Sequence, residues 1–167
     1  MNALAITTTL LVGASAPGET YELVPAHSTI GFSARHVFGV VDGVFQKWSG
    51  TFWINHARPE RSRVEILIDT ASLDTDNDSR DDHLRSEDFF HVTEHPRARF
   101  VATTVRRQGP HRYAVSGRLT IRNVTSNVRL LLTTTDSVEG GRPHVRIKGQ
   151  TTVDRRLVGL GYEAPWY

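Results

Sequence analysis

The second half of the chain is cut by three breaks of only two or three residues: Gln108-Gly109-Pro110, Arg122-Asn123 and Glu139-Gly140-Gly141. Between them apolar residues recur at every second position, as in Ala98, Phe100, Ala102, then Tyr113, Val115, Gly117, Leu119, Ile121, then Val128, Leu130, Leu132, then Val145, Ile147, Gly149. Period-two alternation is the signature of half-buried strands, and connections this short join antiparallel neighbours, not parallel crossovers. A meander of hairpins follows, with Asn123 as the residue expected to take positive φ in its turn.

The first half carries the same period. After a short extended piece at Tyr21 to Pro25, Ile30, Phe32 and Ala34 alternate with Gly31, Ser33 and Arg35. Val44 to Ile54 reads as one strand, with Trp48, Gly50, Phe52 and Ile54 on one side and Phe45, Lys47, Ser49, Thr51 and Trp53 on the other. Val64, Ile66 and Ile68 form the next. The first sixteen residues end in Ala14-Ser15-Ala16, as a signal-peptidase site would, but lack Lys or Arg before the apolar centre. Their β-branched Ile6, Thr7, Thr8, Thr9 and Val12 read as a strand, which goes with a cytoplasmic protein; as a signal remnant they would mean a periplasmic or secreted one.

One stretch breaks the rhythm. Arg80 to Phe100 reads RDDHLRSEDFFHVTEHPRARF, with dense charge followed by Leu84, Phe89 and Phe90. A short helix around residues 80–90 is expected, left before the His95-Pro96 step, which biases the chain toward extended structure. With the N-terminal run the count is about eight strands and one helix. The fold class is all-β, an antiparallel up-and-down barrel forming a single domain over residues 1–167.

Composition narrows the function. The formal net charge is only +2, and basic residues alternate with acids, so there is no phosphate-binding stripe and nucleic acid is not an expected partner. No run reaches the roughly 18 apolar residues of a membrane-spanning helix. The absence of cysteine removes disulfides and thiolate chemistry. Among eight histidines none shows the short regular spacing of a dedicated metal site, and His91 and His95 read as flanking a turn, so neither a metal nor a cofactor is expected. The acid-base look of Arg80, Asp81, Asp82 and Glu87 is matched by a capped, ion-paired helix face, which needs the same residues. No nucleophile elbow, phosphate loop or dinucleotide fingerprint is present.

Spaced landmarks then point to a family. They are His27-Ser28, Phe32 and Arg35-His36; Gly43-x-Phe45 with Trp48-Ser49-Gly50; Arg80-Asp81-x-His83-Leu84-Arg85-Ser86 with Asp88-Phe89-Phe90; His95-Pro96 before Phe100; and Gly117-x-Leu119-Thr120-Ile121 with Val124-Thr125. From Tyr21 to about Arg155 the chain resembles the YceI-like family of lipocalin-like, polyisoprenoid-binding barrels. The resemblance implies an elongated eight-stranded barrel whose hydrophobic lumen holds a long isoprenoid or amphiphilic chain, with no metal as a rule. Both ends depart from the pattern. After Arg155 and Arg156 come Leu157-Val158-Gly159, where the family continues through Arg-x-x-Phe-Gly into a closing strand, while Ala3 to Val12 precedes the usual start. The N-terminal strand is therefore expected to fill the gap, since an open edge is generally avoided.

The ligand-binding candidates are the apolar Ile30, Phe32, Trp48, Phe52, Ile66, Phe100 and Leu119, with Leu84, Phe89 and Phe90 as a gate, and His27, Arg35 and His36 as head-group contacts. A carrier or sequestering protein for a hydrophobic small molecule is the first reading. The alternative is an enzyme on the same barrel, which folds and cyclises or rearranges a polyene or polyketide-type metabolite with His27 or His36 as the catalytic candidates. A homodimer is a further alternative for the assembly.

Overall fold

The structure, a computed structural model, describes residues 3–13, 18–36, 39–139 and 141–160, with backbone alone at 3–13, 19, 25, 35–36, 139 and 142–143. Among the described residues eleven strands form one antiparallel sheet: β1 (Ala3–Gly13), β2 (Glu19–Tyr21), β3 (Thr29–His36), β4 (Gly39–Phe45), β5 (Trp48–Ile54), β6 (Arg63–Asp69), β7 (Leu73–Asp74), β8 (Arg97–Gly109), β9 (Arg112–Ile121), β10 (Val124–Glu139) and β11 (Arg142–Asp154). The helix α1 is Asp78–Arg85. The order across the sheet is β2-β5-β6-β8-β9-β10-β11-β1-β3-β4-β7. The expected meander is the run from β8 to β11, and the sheet curls so that alternate residues of each strand face a common interior.

β1 lies between β11 and β3. Ala3 to Gly13 pairs with β11 from Asp154 to His144, and Leu4 to Thr9 pairs with β3 from Ala34 to Thr29. The expected single strand from Val44 to Ile54 is instead two: the chain turns at Gln46 and Lys47, which have no Gly, Pro or Asn to announce it. Gln46 N–H donates to Ser72 O (3.0 Å), and Lys47 N–H to Ser72 Oγ (2.9 Å), so the turn is held from outside by the 70–72 turn. This resets the phase. Phe45 is buried in the same interior as Phe52, with Trp48 half-buried against it, which accounts for Phe45 on the second parity in the sequence, while Trp53 stays on the other face of β5. A bulge between Ala102 and Thr104 likewise shifts β8, turning Val105 inward after Phe100 and Ala102.

Positive φ in the β9–β10 turn falls on Arg122 (φ 53°), not on Asn123. The Arg122 guanidinium donates to the carbonyls of Glu87 (3.2 Å), Phe89 (3.1 Å) and Gly159 (3.4 Å), so tertiary hydrogen bonds hold a backbone conformation that the side chain does not favour.

The charged stretch before the aromatics is structural. Asn77 caps α1 by accepting from Arg80 N–H (2.9 Å), as a short helix requires. Buried Asp81 accepts from Thr75 N–H (3.1 Å) and Thr75 Oγ1 (2.6 Å), while Arg80 donates to Thr75 O (2.6 Å). Arg85 donates to Leu73 O (2.7 Å) and Ala71 O (3.1 Å). These bonds tie α1 to the segment around β7. The residues after it, 86–90, deliver Phe90 edge-on to Phe45 (5.8 Å between centroids), which meets Phe32 (5.3 Å). With Ile30, Leu73, Leu119 and Ile121, all buried, these rings fill one end of the sheet's interior.

Candidate functional site

The other end is not filled. β8, β10 and β11 have thirteen, sixteen and thirteen residues. At about 3.4 Å per residue the thirteen-residue strands are roughly 44 Å long, about twice the usual strand, and they run well past the aromatic plug. Their inward side chains there are aliphatic and of medium size: Val105 on β8, Val115 on β9, Leu130 and Leu132 on β10, Val145 and Ile147 on β11, with Val64 on β6. Side chains of this size do not meet across the interior. A cavity of about 750 Å³ remains, floored by Phe52, Ile66 and Phe100.

The cavity opens between the 55–62 loop and the β8–β9 and β10–β11 turns, where His56, His111, Asp136 and Val138 of its lining are exposed. Polar groups gather at this mouth. Buried Tyr21 and His56 share a hydrogen bond between the phenol oxygen and Nε2. Arg107 donates to Gly109 O (3.1 Å) and Pro110 O (3.3 Å), which holds its head at the rim while the side chain contributes to the wall. Ser137 Oγ is buried in the lining with no hydrogen-bond partner among the described residues, a polar atom suited to a ligand group. An apolar well with a few polar groups at one end orients a long molecule tail-first.

Of the residues singled out in the sequence, Phe52, Ile66 and Phe100 lie on this wall. Ile30, Phe32, Phe90 and Leu119 lie in the packed end, and Leu84, Phe89 and Trp48 are half-buried against it. His27 is exposed on the 3-10 turn Pro25–His27. The side chains of Arg35 and His36 lie outside the described residues; their backbones pair with Val40 and Gly39. Among the wall residues not singled out in the sequence, Val105, Val115, Leu130, Leu132, Val145 and Ile147 share one legible signal, inward position on the four strands of the meander, whereas Asn55, His56, Pro59 and Ser62 come from the 55–62 loop. A separate group, His91, Glu94 and His95, converges on the outer surface, although the sequence spacing separates the two imidazoles by a turn. Among the described residues no helix is long and apolar enough to cross a membrane.

Comparison with known proteins agrees with this architecture. A UPF0312 protein of Pseudomonas savastanoi is 36% identical over 129 residues, covering 75% of this chain and 67% of the relative. A UPF0312 protein of Photorhabdus laumondii is 37% identical over 124 residues, 72% of this chain and 64% of the relative. The chain thus spans about two thirds of these relatives. Among solved structures, the Campylobacter jejuni YCEI protein is 26% identical with a TM-score of 0.56, covering 60% of this chain and 59% of that one. Burkholderia cenocepacia BcnA shares the fold at 18% identity, with a TM-score of 0.59 over 90% of this chain and 96% of that one. The description YceI-like domain matches residues 21–166, so that β1 alone of the eleven strands lies wholly outside the match, and the chain belongs to the YceI-like family.

Proposed function

We propose that the protein binds one long hydrophobic or amphiphilic molecule, isoprenoid-like in character, in the lumen, as a carrier or sequestering protein. The observation that carries this is the cavity of about 750 Å³, aliphatic along its wall, plugged by aromatics at one end and polar at the other. Taking a methylene as about the size of a water molecule, near 30 Å³, the cavity holds about 25 such groups at most. Side-chain irregularity reduces this, and a chain of 15 to 20 carbons is a reasonable fill. At about 0.8 kcal/mol per buried methylene, fifteen carbons yield roughly 12 kcal/mol gross. Immobilisation at the low end of its range, about 4 kcal/mol, leaves about −8 kcal/mol, or a micromolar Kd.

Displacement of cis-parinaric acid by prenyl alcohols of increasing length tests the reading. Affinity should rise with chain length up to about 15 to 20 carbons and then level as the lumen fills. Ile147→Trp, which places a large ring in the cavity wall, should remove binding without unfolding the sheet. Binding that does not saturate, or that is equal in Ile147→Trp, would show that the probe sits elsewhere.

A further inference from the structure

We propose that His91, Glu94 and His95 form a site for a divalent transition metal on the outer face of the barrel, separate from the lumen. One ligand atom from each of these three side chains lies within 4.8 Å of the other two, and His91 Nδ1 is 3.8 Å from a Glu94 carboxylate oxygen. The imidazoles of His91 and His95 stand edge to face at 5.7 Å. Bonds of about 2.0–2.1 Å to a shared zinc ion place tetrahedral donors roughly 3.4 Å apart, so small side-chain rotations complete the set. Two imidazoles and one carboxylate suit zinc, copper(II) or nickel(II), whereas calcium and magnesium call for oxygen donors throughout.

The backbone presents these groups before any metal arrives. His91 has left-handed φ (48°), and its carbonyl accepts from Glu94 N–H (3.1 Å) and His95 N–H (2.8 Å), closing a single turn that stacks positions 91, 94 and 95 on one side. His91 N–H is itself bound to Ser86 O (2.8 Å). From the other side, Thr70, 1% exposed, donates its hydroxyl to His95 O (2.8 Å) and its N–H to Pro96 O (3.0 Å). A turn fixed at both ends loses little freedom on binding, which favours affinity from only three ligands. Glu94 and His95 also border an outer groove of about 730 Å³, so the remaining coordination positions face solvent and are open to water or to an exogenous ligand.

Zinc titration of the full-length chain without an affinity tag, using a chromophoric chelator as competitor, tests the site. One zinc per chain should bind with a Kd on the order of micromolar. His91→Ala and His95→Ala should each weaken it tenfold or more, and Glu94→Gln several-fold, with His83→Ala, altered just outside the cluster, as the unaffected control. Copper(II) electron paramagnetic resonance of the unmodified protein reads the ligands without any variant: superhyperfine coupling to two imidazole nitrogens is expected, falling to one in each single histidine variant. Zinc binding weaker than about 100 µM, a stoichiometric site that survives both histidine variants, or a copper signal with fewer than two nitrogens would overturn the assignment.

Discussion

Adding one methyl group at Gly117 and, separately, at Gly149 distinguishes the packed part of the interior from the empty part. A Cβ at Gly117 collides with the ring of Phe100 and stands 2.6 Å from Val101 O, a backbone atom fixed in the β8–β9 ladder. Overpacking of this kind costs about 1–3 kcal/mol, and an immovable carbonyl puts Gly117→Ala at the upper end, even after the roughly 0.5–1 kcal/mol that alanine gains over glycine in a strand. At Gly149 the collision is with the tip of Leu132 alone, the next nearest atoms being 3.7 Å or more away. Leu132 borders the cavity and can swing into it, at about 0.5–1.5 kcal/mol for a strained rotamer, which the strand preference for alanine offsets. Urea unfolding followed by tryptophan fluorescence should therefore show Gly117→Ala less stable by about 2–3 kcal/mol, with Tm lower by roughly 5–10 °C, and Gly149→Ala within about 1 kcal/mol of the parent. Equal losses at the two positions would refute an empty lumen beside Leu132. A neutral Gly117→Ala would refute the clamped position of Phe100.

Three more outcomes follow from other parts of the fold. Asp81→Ala leaves the buried Thr75 N–H and hydroxyl without their acceptor, and should lower unfolding free energy by about 2–4 kcal/mol in the same assay. Removing residues 1–16 takes β1 from between β11 and β3 and bares both edges; light scattering should then show association where the full chain is monodisperse, and an unchanged, monodisperse truncation would contradict a structural role for β1. Asp154 caps the 3-10 turn Arg155–Val158, and hydrogen bonds from the Arg156 side chain and then its backbone N–H hold its pKa at about 2 against the usual 3.8. Because the folded pKa is depressed, this cap contributes fully above pH 3.8 and is lost as pH falls through about 2; a carboxyl carbon titration by NMR with a midpoint near 3.8 would rule it out.

The strands were legible because burial on one face imposes period two, and short turns leave few alternatives to hairpins. The turn at Gln46–Lys47 was not, because hydrogen bonds donated by its backbone N–H groups to Ser72, distant in sequence, hold it in place of any local turn residue. Positive φ at Arg122 escaped for the same reason: three distant carbonyls stabilise it. For the site, large aromatics are the natural choice for a hydrophobic lining, yet their bulk fills space. Phe32, Phe45 and Phe90 close the interior, and beyond the floor of Phe52 and Phe100 the wall is made mainly by valines, leucines and isoleucines too small to meet across it. Among the described side chains only Phe52, Ile66 and Phe100, at the boundary between the two regions, belong to the expected set and to the wall. The group at His91, Glu94 and His95 is a product of a single left-handed residue, which spacing alone does not announce.

Native mass spectrometry of the purified full-length chain, followed by organic extraction, addresses the lumen most directly. A single extra mass of one hydrophobic molecule per chain is expected, recovered chemically unchanged on extraction and absent from Ile147→Trp. Protein that stays at its bare mass after incubation with excess C15 or C20 prenyl alcohol, or that carries the same adduct in Ile147→Trp, would contradict it.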